Sequence, residues 1–518
     1  MKGESRPRIL LEMRPTGEGF AGIPQETRLL FAMLNSNSGL DLTGLLNSHN
    51  RLLPYPKSLR GAGWHRRGDE LYDMSSRMLS LQDADRWRDR HRVFRASERV
   101  YQLVDRMRQA AAMRTMIALR REIEIHDLET EPFFDLIWGH YLSKSLGASQ
   151  MQVLRDARFA TIRYGWRAMH RSGWKGADAV TYPKMDTSDY DIYIAQTPWP
   201  SRVSPGTQLV VRYHDAIPIF YPHTIHNAHW HQYTHYQPLK ANLKAGAIMV
   251  CNSENSRNEV LAMFPERAGQ THVIPCVVSD AYAARPAKEP AVNEIIRGSI
   301  EPTTEPSFVS SSEAEEFYVR HLGEKPIRYL LVVSTIEPRK NHKRLISAWR
   351  SVANELAPEL KLVIVGRPGW HSEDTLKTMG RFQRRGRIFN VSGLSPMDLR
   401  VLYANADAVV CPSIAEGFDL TGIEAMLSDG VVVASDIPVH REIYSDACVY
   451  FDPYSTQSMA GAIAKFVKPQ DPELHASLMQ KGKALSRNFL ADKIGPQWTK
   501  FLEETVDQKR KNGGKLIS

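Results

Sequence analysis

Short runs rich in Val, Ile and Leu alternate with helix-like stretches twice along this chain, and that alternation limits the fold more than any other feature. The first half opens on RILLEM and the glycine-bearing RPTGEGFAGIPQETRLLFAML, then continues through DIYIAQTP, TQLVVRYHD, AGAIMVCNS and THVIPC. The second half starts again at IRYLLVVST and passes through LKLVIVG, RIFNVSG, DAVVCPS, VVVASD and CVYFDP, with helical segments such as NHKRLISAWRSVANEL between them. Strands that alternate with helices build a parallel, doubly wound sheet. Two such series predict an α/β chain with two facing domains, and ligands bind open sheets of this kind beyond the carboxyl ends of the strands.

A length of 518 residues exceeds one ordinary domain and allows two full cores. Between the halves, AYAARPAKEPAVNEIIRGSIEPTTEPSFVSSSEAEE is rich in Pro, Ser and Glu and loses periodicity, which predicts a linker or mobile loop over 281–325. The expected division is an N-terminal domain over 1–280 with a helical basic insertion at about 51–150, a C-terminal domain over 326–495, and a closing helix and tail over 496–518. No apolar run is long enough to span a membrane and MKGESRPRILLEM lacks an apolar signal region, so a cytoplasmic location is expected. The four cysteines, Cys251, Cys276, Cys411 and Cys448, lie far apart in or beside apolar runs and read as reduced core thiols.

The net charge of +9 is concentrated. Between Arg51 and Arg120, 16 Arg and Lys stand against 8 Asp and Glu, and part of this stretch has helical periodicity. It reads equally as a solvated helical face or as a peripheral contact with an anionic membrane through 51–120. No nucleic-acid recognition motif accompanies it, so no nucleic-acid partner is expected.

The C-terminal half supplies the chemistry. STIEPRKNHKR puts Arg339 and Lys340 at a strand-to-helix junction, where cations beside free helix amides suit a diphosphate. VGRPGW follows the next strand, and Gly366 there allows close backbone approach to a ligand or simply a turn. AEGFDLTGIEAMLSDG sets Glu416 and Glu424 eight residues apart, with Gly417 arguing against one continuous helix. Glu416 is expected on the loop and Glu424 about two turns into the following helix, both rimming one cavity. Paired carboxylates serve sugar hydroxyls or acid and base catalysis, and the structural alternative is one cap and one surface ion pair. HTIHNAHWHQYTH reads as a cleft-lining segment in preference to a zinc site through His226, His229 and His235, since its spacing matches no ligand motif.

These motifs carry a family resemblance. EGFDLTGIEAMLSDGVVVASDIPVHREI resembles the glutamate, seven residues, glutamate signature of glycosyltransferase family 4, the retaining GT-B transferases (glycosyl transferases group 1). STIEPRKNH, YHDAIPIFYP and VCNSENSRNEV are similar to elements of a bacterial branch rich in mannosyltransferases, and together the matches span roughly 208–453. The resemblance implies two Rossmann-like domains facing across a cleft, with nucleotide sugar held by the second. Arg339 and Lys340 would neutralise the donor diphosphate, Glu416 would bind the transferred sugar, and Glu424 the ribose. Gly417, Phe418, Asp419 and Leu420 would line the donor site with Gly366. His214 would face the sugar from the N-terminal domain with Asp215 beside it, and the loop around Gly19 and Gly22 would approach phosphate or acceptor. The chain departs from the pattern at Thr335, where an arginine is frequent, and at Asp419, Thr421 and Gly422.

The implied reaction is transfer of a hexose with retention, with mannose from GDP-mannose moving to a lipid-linked or polysaccharide acceptor in bacterial surface glycan (lipopolysaccharide, O-antigen or capsule) synthesis. No metal or other cofactor is implied, and the basic segment adds peripheral binding at the inner face of the cytoplasmic membrane. The alternatives are a GT-B nucleotide-sugar epimerase and a non-catalytic scaffold that binds membrane or partners through its basic segment.

Overall fold

The computed structural model describes residues 6–17, 19, 22–47, 92–128, 130–131, 134–174, 180–283, 291–323, 325–467 and 471–511. Sixteen strands are assigned in this region. The first ten are β1 (Arg8–Glu12), β2 (Asp41–Leu46), β3 (Glu122–Ile123), β4 (Ile125–Leu128), β5 (Arg158–Ile162), β6 (Lys184–Met185), β7 (Ile192–Ala195), β8 (Gln208–Tyr213), β9 (Ile248–Cys251) and β10 (Thr271–Val273). The second series is β11 (Tyr329–Val333), β12 (Lys361–Val365), β13 (Ile388–Val391), β14 (Ala408–Cys411), β15 (Val432–Ser435) and β16 (Cys448–Phe451).

The N-terminal sheet has the order β10-β9-β8-β7-β1-β2-β5-β4, parallel throughout except for β4 on the β5 edge. The C-terminal sheet has the order β13-β12-β11-β14-β15-β16 and is wholly parallel. Its central strands read as unbroken apolar runs because helices cover both faces. In each sheet the chain winds outward in one direction and then returns to the other side of its first strand. The turning points lie between β1 and β7 and between β11 and β14, where neighbouring loops diverge and leave a crevice.

Two segments differ from the sequence expectation. Residues 281–325 contain the helices Val292–Gly298 and Ser311–His321. Val292, Ile295, Ile296 and Leu322 are buried in the C-terminal core, and the Glu301 amide donates to the Asn390 carbonyl at 2.9 Å on the edge strand β13. Proline and serine diluted the short apolar pattern that anchors this stretch. The last helix, Ala491–Lys511, returns to the N-terminal domain. Ile494, Trp498, Leu502 and Val506, four residues apart, make one apolar stripe buried in that domain's core. Asn37 adds a 2.8 Å hydrogen bond to Thr499.

Of the basic segment, the helix Arg92–Ala118 is described and packs on the helix Trp166–Gly173, while residues 51–91 of the 51–120 reading lie outside the described residues. Among the described residues, no helix is long and apolar enough to cross a membrane. All four cysteines are buried free thiols.

Candidate functional site

Arg339 and Lys340 leave β11 on a single helical turn, Pro338–Lys340, at the turning point of the C-terminal sheet. The loop after β14 brings Glu416 to meet them. Arg339 Nη1 donates to Glu416 Oε2 at 2.6 Å and to the Ala415 carbonyl at 2.8 Å, while its Nη2 reaches Glu337 at 2.8 Å. Lys340 Nζ bonds the other oxygen of Glu416. Burial pushes the Glu416 carboxyl up, but the Arg339 and Lys340 charges outweigh it and hold the group below the usual carboxylate range.

Glu424, one turn into the helix Leu420–Leu427 and so nearer its start than expected, has a different setting. Gln25 from the N-terminal domain donates to its Oε1 at 2.5 Å, and the Tyr403 hydroxyl donates to Oε2 at 3.0 Å. Among the described residues no cation pairs with it, and burial pushes its pKa up to about 7 against the hydrogen bonds of Gln25 and Tyr403. The two glutamates therefore differ in their partners: one belongs to a cationic cluster, the other to neutral hydrogen-bonding groups at the contact between the domains.

That seam is tight. The Gly417 carbonyl accepts from Ser253 Oγ at 2.7 Å, and Ser256 Oγ donates to the His214 carbonyl at 3.0 Å. A methyl group on Gly417 would stand 1.9 Å from the His214 carbonyl oxygen, so only glycine allows this approach. Glu442 completes the contact by accepting the Glu254 and Asn255 amides at 2.7 and 2.9 Å, at the N-terminus of the helix Glu254–Met263.

His214 and Asp215 follow β8 directly, and the Asp215 carboxyl feels the charge of Arg339. Burial lowers the His214 pKa well below its ordinary value, so the ring is neutral; it bonds the Gln196 backbone and leaves Nε2 buried without a hydrogen-bond partner. Burial raises the Asp215 carboxyl, against the pull of Arg339. Gly22, at φ 72°, starts the helix Ile23–Asn35 that carries Gln25. Arg28 on that helix donates to the Gly19 carbonyl and, at 2.5 Å, to that of Thr16, which fixes the loop against the cleft.

Four expected donor-site residues have other settings. Phe418 is buried edge-on against Phe489, with ring centres 5.6 Å apart, as part of the core. Gly366 is needed because a methyl group there would lie 2.0 Å from the Ser334 carbonyl oxygen, so the close approach is to protein backbone. Leu420 packs partly buried against the same core as Phe418. Asp419 occupies the left-handed region at φ 65°, which explains why glycine suits the position and why aspartate is tolerated there. Its carboxylate turns inward to His440 Nε2 at 3.1 Å, while His440 Nδ1 meets the Ser435 carbonyl at 2.9 Å. Both ring nitrogens face acceptors, and although burial pushes the Asp419 carboxyl up, the hydrogen bond from His440 and the Lys340 charge outweigh it and hold the group well below the usual range. Among the described residues no three His, Cys, Asp or Glu side chains group so as to hold a metal ion.

Sequence reasoning missed Gln25, Tyr403, Glu337, His440 and Glu442. Gln25 carried no signal, because a glutamine in a first helical turn is unremarkable. His440 stood inside the quoted PVHREI segment, and its pairing with Asp419 depends on a contact between adjacent loops that no spacing reveals.

Residues 315–485 match the family described as glycosyl transferases group 1. The O-antigen chain mannosyltransferase B of Escherichia coli is 30% identical over 161 residues, 31% of this chain and 42% of the relative. The O-antigen chain mannosyltransferase RfbU of Salmonella typhimurium is 30% identical over 138 residues, 26% of this chain and 37% of the relative. Each match thus spans less than half of the relative's length. Sucrose-phosphate synthase from Thermosynechococcus elongatus, at 14% identity and a TM-score of 0.53, covers 97% of this chain and 100% of its own, a likeness of fold. The two-sheet frame is GT-B, and the domain that carries Arg339, Lys340, Glu416 and Glu424 belongs to the glycosyl transferases group 1 family.

Proposed function

We propose that this chain is a retaining hexosyltransferase that moves mannose from GDP-mannose to a hydroxyl of a lipid-linked or glycan acceptor in bacterial surface polysaccharide synthesis. The observation that carries the reading is the convergence of Arg339 and Lys340 on Glu416 at the turning point of the C-terminal sheet, with Asp215 of the N-terminal domain within reach of the Arg339 charge. The names of the mannosyltransferase relatives support the choice of sugar.

In this mechanism the departing diphosphate takes over the charge of Arg339 and Lys340, both of which pair with Glu416 here. Fixed cations in a site shielded from water stabilise the leaving charge and require no metal. Glu416, freed from Lys340, accepts hydroxyls of the sugar. His214, neutral and with Nε2 unpartnered, offers a hydrogen bond to the same ring. The leaving phosphate itself accepts the acceptor's proton on the same face, which is the route to retention. The seam at Gly417 keeps water from the activated donor. Glu424 exchanges Gln25 for ribose hydroxyls. Residues 51–120 would bring the enzyme to an anionic membrane surface that presents the acceptor.

The test is to incubate the protein with GDP-mannose, UDP-glucose and GDP, without metal, while following melting temperature and slow donor hydrolysis. A selective rise with GDP-mannose, with hydrolysis abolished by Glu416→Ala but GDP stabilisation retained, is expected. No stabilisation by any nucleotide sugar would refute the reading.

A further inference from the structure

One feature of the cleft mouth has no part in donor chemistry. The helix Ala228–Lys244 begins beyond the His214–Asp215 loop and is tied to β8 by the 2.8 Å contact of His235 Nε2 with the Tyr213 hydroxyl. On the opposite domain, the Arg367–His371 loop is fastened to the segment just before Arg339: the Gly369 amide donates to the Ile336 carbonyl at 2.9 Å and that of Ile336 to Arg367 at 3.0 Å. The two elements present aromatic rings to each other across the domain boundary. His231 lies 5.0 Å from Trp370 and His226 lies 5.5 Å from His371, measured between ring centres. The band continues on the N-terminal side through Trp230 to Tyr233 at 6.1 Å, with the Arg171 guanidinium 5.8 Å from the Trp230 ring.

Trp370 is 44% exposed, and His226 and His371 are exposed beside it, while Trp230 and His231 are half-buried. Rigid aromatic faces next to imidazole and guanidinium groups offer large contact area at low entropy cost together with hydrogen-bonding edges. That combination suits a pyranose, whose C–H face is apolar and whose rim carries hydroxyls. A membrane surface would call for an apolar face projecting from one side of the molecule with a basic flank. This band lies instead between two domains, with its exposed indole directly connected to the loop that carries Arg339.

We infer that the band is a distal subsite for the saccharide chain of the acceptor, holding sugar rings one or more units away from the hydroxyl that is glycosylated. The inference rests on the transferase reading above. Trp370 and Trp230 supply the two platforms, and His226, His371 and Arg171 supply polar contacts at the edges. The subsite favours longer acceptors over single sugars and is complete only when both domains are engaged.

The experiment measures binding of mannose and of a linear α-linked mannotetraose to the full chain by calorimetry, without donor, for the wild type and for Trp370→Ala and Trp230→Ala. The wild type should bind the tetraose at least about tenfold more tightly than mannose. Each variant should lose that preference while still melting cooperatively, and Trp370→His should recover part of it. Equal affinity for the two sugars in the wild type, or an unchanged preference in both variants, overturns the subsite. Loss of binding to phosphatidylglycerol vesicles in the variants, with tetraose binding intact, overturns it in favour of a membrane contact. Because these assays use no nucleotide, failure of the transferase reading would appear separately, as absence of GDP-mannose stabilisation and hydrolysis.

Discussion

Glu416 and Glu424 stand at the two ends of one nine-residue motif, yet the fold gives them opposite environments. Glu416 is held ionised by two cations despite its burial. Glu424 takes hydrogen bonds from the neutral groups of Gln25 and Tyr403, and burial pushes it up to about 7. The first setting is suited to a site where charge moves during reaction, since removing either cation leaves a buried carboxylate uncompensated. The second is suited to exchanging neutral hydrogen-bond partners. Spacing alone would assign both residues to one task; the surroundings divide them between leaving-group chemistry and nucleotide or domain contact.

The most severe way to break this contrast is to remove the cation that defines it. Arg339→Ala should reduce GDP-mannose hydrolysis about 10³-fold, roughly 4 kcal/mol of transition-state stabilisation, measured in single turnover. Arg339→Lys should restore little, because one ammonium cannot span Glu416, Glu337 and the Ala415 carbonyl at once. Glu424→Gln should have a much smaller effect on the same rate. Equal losses in Arg339→Ala and Glu424→Gln would show that the two ends act as one unit.

The contrast also has opposite signs in pH. Glu424 is raised in the folded protein from an ordinary value of 4.5, so the folded state binds the additional proton. Its contribution is fully present below the unfolded carboxyl pKa and is lost as pH rises through about 7, a span worth about 3 kcal/mol by linkage. Glu416 is lowered, so its contribution is present above the ordinary carboxyl range and is lost on acidification. Glu424→Gln should therefore flatten the fall in melting temperature between pH 5 and 8 by about that energy. Glu416→Gln should instead reduce the loss of stability on the acid side. Melting curves of the two variants from about pH 2 to about pH 8 check both signs, and parallel profiles would refute the assignment.

Both sheets were legible in the sequence because a buried parallel strand is an apolar run and a helix has its own period, and IRYLLVVST and LKLVIVG are unambiguous in this respect. Arg339, Lys340 and Glu416 were legible because they stand at strand ends within a motif. The partners that decide their chemistry were not, since they arrive from distant parts of the chain. Gln25 meets Glu424 across 399 positions and Ser253 meets Gly417 across 164. Trp498 and the helix around it were read as a closing tail because nothing local states which domain their apolar stripe covers.

Asp419 tests whether a departure from the family pattern is accommodated within the domain. Asp419→Asn keeps an acceptor for His440 and a residue type that tolerates positive φ, but removes the buried carboxylate charge beside that ring. A cost of about 2 kcal/mol in urea unfolding is expected, with GDP affinity unchanged. A large change in GDP affinity with stability preserved would place the Asp419 carboxylate in the donor site after all.

Gln25 gives the smallest effect and the finest distinction. Its amide occupies Glu424 Oε1 at 2.5 Å, the position that the ribose reading assigns to a hydroxyl. If the two compete, nucleotide binding must first break this interdomain bond, worth about 1 kcal/mol, and GDP affinity is reduced accordingly. Gln25→Ala should then tighten GDP binding by about threefold to fivefold while slightly lowering the melting temperature of the nucleotide-free protein. If Gln25 instead bridges to the nucleotide, the same substitution weakens GDP. Calorimetric titration of the variant separates the two by the sign of the change, and with it decides whether Glu424 is a ribose ligand held in reserve or a fixed latch between the domains.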